Sequence, residues 1–324
     1  MGKVQSIQVL RALAVMAVVQ AHVFTTGRGT SGVDLFFVIS GFIIARVSSD
    51  RPPVTFVKAR LWRILPVYWL AALPYVAWPI LYGTPDWAKI AATVTLWPVW
   101  GGTYQQPLLP VAWSLYFEML FYAAVALWLA GKRLAAGAAA LVVVAALVVP
   151  GPVTAFLLSP IIIEFLAGFA LARVRSFRLA LLALIIGLIW LFTPERSFEG
   201  VTMLDGSTAW LRLAMYGVPA SLIVYGALGL ESWFAEPWAK PIVLVGDASY
   251  SIYLTHLMAV RALAEWSAPV RLLAALALGL ACYFTIERTL GRPPSPRKRL
   301  VASPASDLRP SAPGKANGAL TSSL

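Results

Sequence analysis

Long apolar runs, broken by short clusters of Arg, Lys, Gly and Pro, follow one another along most of the chain. Each run approaches the roughly 20 residues that an α-helix needs to cross about 30 Å of hydrocarbon, where a helix satisfies all of its own backbone polar groups. The breaks predict ten spans, at 4–23, 33–49, 64–82, 111–130, 134–150, 154–172, 179–194, 210–230, 242–264 and 269–288. Residues 86–100, DWAKIAATVTLWPVW, are apolar but short, rich in Trp and flanked by Pro, which predicts an interfacial or re-entrant segment. The expected fold class is all-α and polytopic. From about residue 291 the chain turns to Pro, Ser, Ala, Arg and Lys, too poor in large apolar groups to build a core. The expected organisation is a membrane domain over 1–290 followed by a disordered basic tail over 291–324.

Composition sharpens this picture. Sixty per cent of residues are hydrophobic, 12% are charged and the mean hydropathy is +0.77, outside the range of ordinary soluble domains. The net charge of +12 does not point to nucleic acid, because a DNA-binding domain would not carry runs such as LVVVAALVV or LALLALIIGLIW. It fits loops retained on the cytoplasmic side. With ten spans and the N-terminus inside, only Arg28, Lys89, Arg196, Arg212, Arg261 and Arg271 of the 26 Lys and Arg lie at or near the outer side. Counting 86–100 as an eleventh span would move GKR (131–133) and RVRSFR (173–178) outside and spoil that asymmetry. Both termini are therefore expected in the cytoplasm, with the basic tail attracted to anionic lipid. A lone cysteine, Cys282, excludes an intrachain disulfide, and with only two histidines no metal is expected. The first span lacks a small-residue cleavage site and reads as retained, not as a signal peptide.

Ionisable residues inside spans are costly and are functional candidates by default. In the first span, RALAVMAVVQAH places Arg11 and His22 eleven residues apart, about 20° past three full turns, so both project from one helix face. The first inner loop gathers Arg46, Arg51, Lys58, Arg60 and Arg63. Arg60 and Arg63, three apart, share a helix face and suit a phosphate-rich ligand, although positive-inside charge explains them equally well. In GVDLFFVISGF, Asp34 has two roles open to it, orienting an imidazole or capping the helix start, and its position favours the cap. Ser40 and Gly41 lie deeper. Glu118 in WSLYFEMLFY has no partner charge on its own helix, so it must be protonated, paired with something like Arg11, or face a wet cavity; a functional role outweighs a structural one. Glu164 in IIIEFLAGF divides evenly between the two. Asp247, Tyr250, Tyr253 and His256 recur every three residues in DASYSIYLTHL, a polar stripe that drifts round its helix; alone, His256 reads as a hydrogen-bonded packing residue. No G-x-S-x-G elbow, P-loop or G-x-G-x-x-G occurs. A base without a dedicated nucleophile fits direct group transfer to a hydroxyl.

Five blocks in one order, IQVLRALAVMAVVQAH, GVDLFFVISGF, FVKARLWRILPVYW, SLYFEMLFY and SYSIYLTHL, make the chain resemble the integral-membrane acyltransferase-3 family, and within it the exopolysaccharide acetyltransferases of the rhizobial type. The resemblance implies ten transmembrane helices in a bacterial inner membrane, acyl-CoA (acetyl-CoA) as co-substrate, and O-acylation of an exopolysaccharide or a lipid-linked saccharide, with a polysaccharide-assembly complex as a possible partner. It also implies catalytic roles for Arg11, His22 and Glu118 and a donor-binding role for Arg60 and Arg63, with Lys58 beside them. Asp34, Ser40, Tyr250 and His256 would support these from behind. In the expected mechanism neutral His22 takes the proton of a sugar hydroxyl, Arg11 or a neighbour stabilises the oxyanion, and Glu118 pairs with Arg11 or sets the tautomer of His22. A secondary transporter using Arg11, Glu118 and His256 as a relay is the main rival; the absence of an internal repeat counts against it.

Overall fold

The first span, QSIQVLRALAVMAVVQAHVF, contains neither Gly nor Pro and forms one helix, α1 (Gln5–Phe24). Its first turn is closed from a distance: the backbone N–H groups of Gln5 and Ser6 donate to the two carboxylate oxygens of Glu231, at 2.6 and 3.0 Å. A carboxylate there meets the orphan donors and the positive end of the helix dipole together. The computed structural model describes residues 3–24, 30–49, 51–174, 176–192 and 208–290. The described residues belong to one compact unit, Met1–Pro293; the tail expected over 291–324 lies outside them.

The longer remaining helices among the described residues are α2 (Gly32–Ser48), α3 (Pro53–Tyr82), α4 (Trp87–Thr95), α5 (Trp113–Ala130), α6 (Lys132–Val148), α7 (Pro152–Leu157), α8 (Ile162–Leu171), α9 (Ala180–Phe192), α10 (Ala209–Gly229), α11 (Lys240–Asp247), α12 (Ser249–Ala262) and α13 (Ala268–Leu290). Six stretches among the described residues are long and apolar enough to cross a membrane: α1, α3, Pro110–Ala130, Pro152–Leu171, α10 and α13. A seventh is Pro237–Asp247 with Ser249–Ala262, bent by 63°. Helices α2 and α6, at 17 residues each, and the shorter α9 fall below that length. The chain is a multi-pass helical membrane protein.

Three elements depart from the hydropathy reading. Helix α3 starts at Pro53, not near residue 64, and runs 30 residues through Pro66, Pro74 and Pro79. Lys58, Arg60 and Arg63 are thus already helical, and Arg60 and Arg63 share a face. Residues 242–264 are not one straight span, because the chain bends between α11 and α12; Asp247 therefore leaves the stripe of Tyr250, Tyr253 and His256 and pairs with Lys3 at 2.5 Å. Residues 154–172 are likewise split between α7 and α8. In the 86–100 segment, Asp86 caps α4 by accepting from the Lys89 N–H, and the helix stops after nine residues at Leu96, whose φ is 52°. Nine residues rise about 14 Å, under half of the hydrocarbon thickness, so this segment does not cross. A hairpin follows, Val99–Trp100 against Thr103–Tyr104, turned by Gly101 and Gly102 at φ of 60° and 76°. Both positions need the left-handed region that glycine enters freely.

Helices α1, α2, α5 and α12 supply much of the buried core, whereas α6 has no buried residue and leaves Leu141, Leu147 and Val148 exposed, as lipid-facing surface requires. Helices α2 and α8 cross at two reciprocal glycines. A Cβ on Gly41 would collide with the Phe165 carbonyl, and one on Gly168 with the Val38 carbonyl. Such backbone contact drives helix association where lipid is as apolar as leucine. Because neither carbonyl can swing aside, Gly168→Ala should cost roughly 3 kcal/mol or more, at the upper end for overpacking. A clear drop in the melting temperature of the detergent-solubilised protein is expected; unchanged melting would show that the crossing is loose.

Candidate active site

A cavity of about 190 Å³ lies between α1, α2, α3, α5 and α12. Its polar lining comprises Arg11, Ser40, Arg60, Arg63, Ser114, Glu118, Tyr122, Ser249, Tyr250 and Tyr253; the rest is chiefly Phe36, Phe37 and aliphatic side chains. Three guanidiniums therefore face one carboxylate. Arg11 is held by neutral groups, with Nε donating to Ser249 Oγ at 3.1 Å and a terminal nitrogen to Gln8 Oε1 at 3.2 Å. Arg60 has a buried Nε with no hydrogen-bond partner among the described residues. Glu118 receives two hydroxyls on one oxygen, Oε1, from Ser40 at 3.0 Å and from Tyr122, one helical turn on, at 2.5 Å. Its second oxygen has no hydrogen bond among the described residues.

Arg63 is tied down where Arg60 is not. Its guanidinium donates to Glu287 Oε1 at 2.6 Å, and the other Glu287 oxygen accepts from the Ser251 hydroxyl at 2.6 Å and the Ser251 N–H at 3.3 Å. Glu287 is wholly buried and ends a π-helical turn in α13, Tyr283–Glu287. One extra residue per turn re-aims a side chain, and such turns recur at functional sites. A second cavity of about 130 Å³ is lined by Arg11, Arg63, Asp247, Tyr283, Glu287 and Arg288. Arg11 and Arg63 line both, so they form the partition between a polar antechamber and the main cavity.

His22 does not line the main cavity. It is half-buried farther along α1, where its Nδ1 lies 2.9 Å from the Val18 carbonyl and 3.4 Å from Nε2 of the fully buried His256. The imidazoles meet edge to face, with centroids 5.0 Å apart. Arg11 and His22 both reach α12, one at Ser249 and the other at His256, so a single face of α1 is turned to a single neighbour. Tyr253 stands between the two regions: it lines the cavity, its hydroxyl donates to the Val111 carbonyl at 2.7 Å beside Ser114 Oγ at 2.9 Å, and its ring lies 6.1 Å from that of His256.

Of the residues the sequence singled out, Arg11, Ser40, Arg60, Arg63, Glu118 and Tyr250 converge on one cavity. Tyr250 contributes a wall, its hydroxyl donating to the Ile64 carbonyl at 3.0 Å. Lys58 does not join them; it is exposed, two residues before Arg60 and on another side of α3. Asp34 neither orients an imidazole nor caps its helix. It forms a two-pronged ion pair with Arg212, at 2.8 and 2.5 Å, and both side chains are buried. Burial explains the difference, because a carboxylate out of water needs a full charge more than a helix dipole. Glu118 meets Ser40 and Tyr122, not Arg11 or the histidine. Sequence reasoning passed over Glu287, Tyr122 and Arg212 as site or support residues. The acidic residue in YFTIER, inside the last apolar run, was the available signal for Glu287.

Comparison with known proteins agrees with this arrangement. A family model described as an acyltransferase domain, that of the acyltransferase-3 family, matches residues 4–286. The chain is 33% identical over 311 residues to the exopolysaccharide production protein ExoZ of Rhizobium meliloti, covering 84% of this chain and 92% of that one. It is also 36% identical over 133 residues to a putative membrane-bound transacylase, BcsY, of Komagataeibacter xylinus, covering 35% of this chain and 34% of the other. No solved structure matches.

Proposed function

Because the chain belongs to the acyltransferase-3 family and is a membrane O-acyltransferase, we propose that it moves an acetyl group from acetyl-CoA to a hydroxyl of an exopolysaccharide or of its lipid-linked precursor. In this reading it spans a bacterial inner membrane ten times with both ends in the cytoplasm, and works beside the polysaccharide-assembly machinery. The 1–290 membrane domain holds the reaction site, and the basic tail is attracted to anionic lipid.

The observation that carries the proposal is the Nε of the half-buried Arg60, a buried donor without an acceptor. Arg60 Nε faces no acceptor among the described residues, in a cavity that already holds Arg11 and Arg63. A buried N–H without an acceptor is costly unless a ligand supplies one, and a guanidinium fork is suited to phosphate. At about 190 Å³ the cavity is too small for a whole nucleotide thioester, but the antechamber behind Arg11 and Arg63 adds about 130 Å³. The charged end of the donor stays at Arg60 and Arg63, and the pantetheine arm carries the thioester past Glu118 and Ser40 towards Tyr253. There the sugar hydroxyl attacks the thioester carbonyl carbon while His22 takes its proton. As the tetrahedral intermediate collapses, the new C–O bond is kept and the C–S bond breaks. The thiolate leaves with the proton from His22, and charge and atoms balance. Arg11 or a neighbouring donor stabilises charge on the carbonyl oxygen, a role typically worth about 3 to 4 kcal/mol. Glu118 fixes Ser40 and Tyr122 along the wall.

Purified protein in lipid nanodiscs should transfer or hydrolyse radiolabelled acetyl from acetyl-CoA. Replacing both Arg60 and Arg63 by Ala should weaken acetyl-CoA binding, measured by calorimetry, by about a hundredfold, as expected for losing two charge-assisted contacts. Unchanged binding would return both residues to the role of positive-inside charge.

A further inference from the structure

His256 makes no contact with the cavity, and the mechanism above does not use it. Its surroundings leave its protons little choice. Nδ1 of His256 lies 2.7 Å from the Tyr253 carbonyl and 3.2 Å from the Ile252 carbonyl. Carbonyl oxygens only accept, so this nitrogen must carry a hydrogen. In a neutral imidazole the other nitrogen, Nε2, is then a bare acceptor, and it points at Nδ1 of His22 at 3.4 Å. The same His22 nitrogen faces the Val18 carbonyl at 2.9 Å, which again requires a hydrogen. Two independent acceptors therefore assign one tautomer to His22: a hydrogen on Nδ1, shared between Val18 and His256, and a free lone pair on Nε2.

We propose that His256 is the positioning residue for His22, holding its ring and its tautomer so that Nε2 is the base that meets the acceptor hydroxyl. The inference rests on the reading of His22 as that base. Many histidine bases are oriented by a carboxylate, which stabilises the imidazolium with a full charge. Here a neutral imidazole replaces it, and Asp34 is committed to Arg212. When His22 takes a proton on Nε2, its Nδ1–H becomes a stronger donor to two acceptors that are already in place. No carboxylate is then needed in the apolar layer beside His256, which is itself fully buried. Its backbone partners come from its own helix one turn earlier, so α12 fixes the ring, and α12 is the helix that also holds Arg11 through Ser249. One helix thus contacts both ionisable groups of α1, Arg11 and His22.

The chain contains only two histidines, which makes the test direct. In protein labelled with 15N-histidine, both neutral imidazoles should give the signature of a hydrogen on Nδ1; a hydrogen on Nε2 of His22 would overturn the assignment. His256→Leu should lower kcat about tenfold or more, the loss of one hydrogen bond that strengthens in the transition state, with KM for acetyl-CoA unchanged. His256→Gln, whose side-chain oxygen can accept from His22 Nδ1, should recover most of that loss. Equal activity in Leu and Gln variants that both fold, whether high or low, would make His256 a packing residue. In a His22→Ala background, His256→Leu should change nothing further. If His22→Ala is fully active, the choice of base fails; if it is inactive but the tautomer or the Gln rescue is absent, only the role of His256 fails.

Discussion

Replacing His22 by alanine is expected to leave a folded protein that binds acetyl-CoA as before but turns over about 10² to 10⁴ times more slowly, the usual contribution of a positioned general base. The separation of binding from turnover follows from the geometry. His22 lies outside the cavity lined by Arg11, Arg60 and Arg63, so its removal takes nothing from donor binding. It is half-buried, and among the described residues its side chain meets the Val18 carbonyl and His256, so the cost to stability is small. Single-turnover kinetics with labelled acetyl-CoA, set beside calorimetric affinity, measures both. A fall in affinity with turnover preserved would move His22 from catalysis to donor binding. Glu118→Gln provides the contrast: Gln keeps an oxygen for the Ser40 and Tyr122 hydroxyls, so its effect should be milder.

Arg212→Met should be among the most damaging substitutions for stability, costing about 3 to 5 kcal/mol as a buried charge loses its partner. Arg212 is 1% exposed and Asp34 is 0% exposed, and the guanidinium also donates to the Thr30 carbonyl at 3.1 Å. It lies 5.6 Å from the Trp113 ring and 5.7 Å from that of Tyr216, so cation–π contact is lost as well. Glu164, fully buried, feels both Asp34 and Arg212, and its carboxyl sits where a Cβ on Gly217 would touch it. Removing the cation leaves Asp34 buried without its partner, beside a Glu164 carboxyl whose two oxygens already lack a hydrogen bond among the described residues. Asp34→Asn should cost less, because Arg212 keeps Glu164 nearby and an amide oxygen can still accept. Denaturation in mixed micelles ranks the two variants; Asp34→Asn as unstable as Arg212→Met would mean that Glu164 gives Arg212 no support.

What could be read in the one-dimensional chain was whatever depends on neighbours within about a dozen residues. Hydropathy located the helical segments closely, since burial in lipid is a demand on each segment separately. The 3.6-residue period put Arg11 with His22, and Arg60 with Arg63, on common faces, and the family blocks pointed to acyl transfer. The start of α3 was misplaced because Lys58, Arg60 and Arg63 mark a loop by hydropathy, whereas the helix begins at Pro53 and runs on through them. The pairings that make the site were beyond reach. Asp34 finds Arg212 across 178 positions, Arg63 finds Glu287 across 224, and His22 finds His256 across 234. Each partner is a polar group on a mostly apolar helix, and its own segment says only that it must be satisfied. Which group satisfies it depends on how the helices cross, and contacts such as Gly41 on Phe165 and Gly168 on Val38 set that crossing. Local chemistry thus named the candidate groups, and packing between distant helices decided which of them line one cavity, which meet as a pair of imidazoles and which close a structural ion pair.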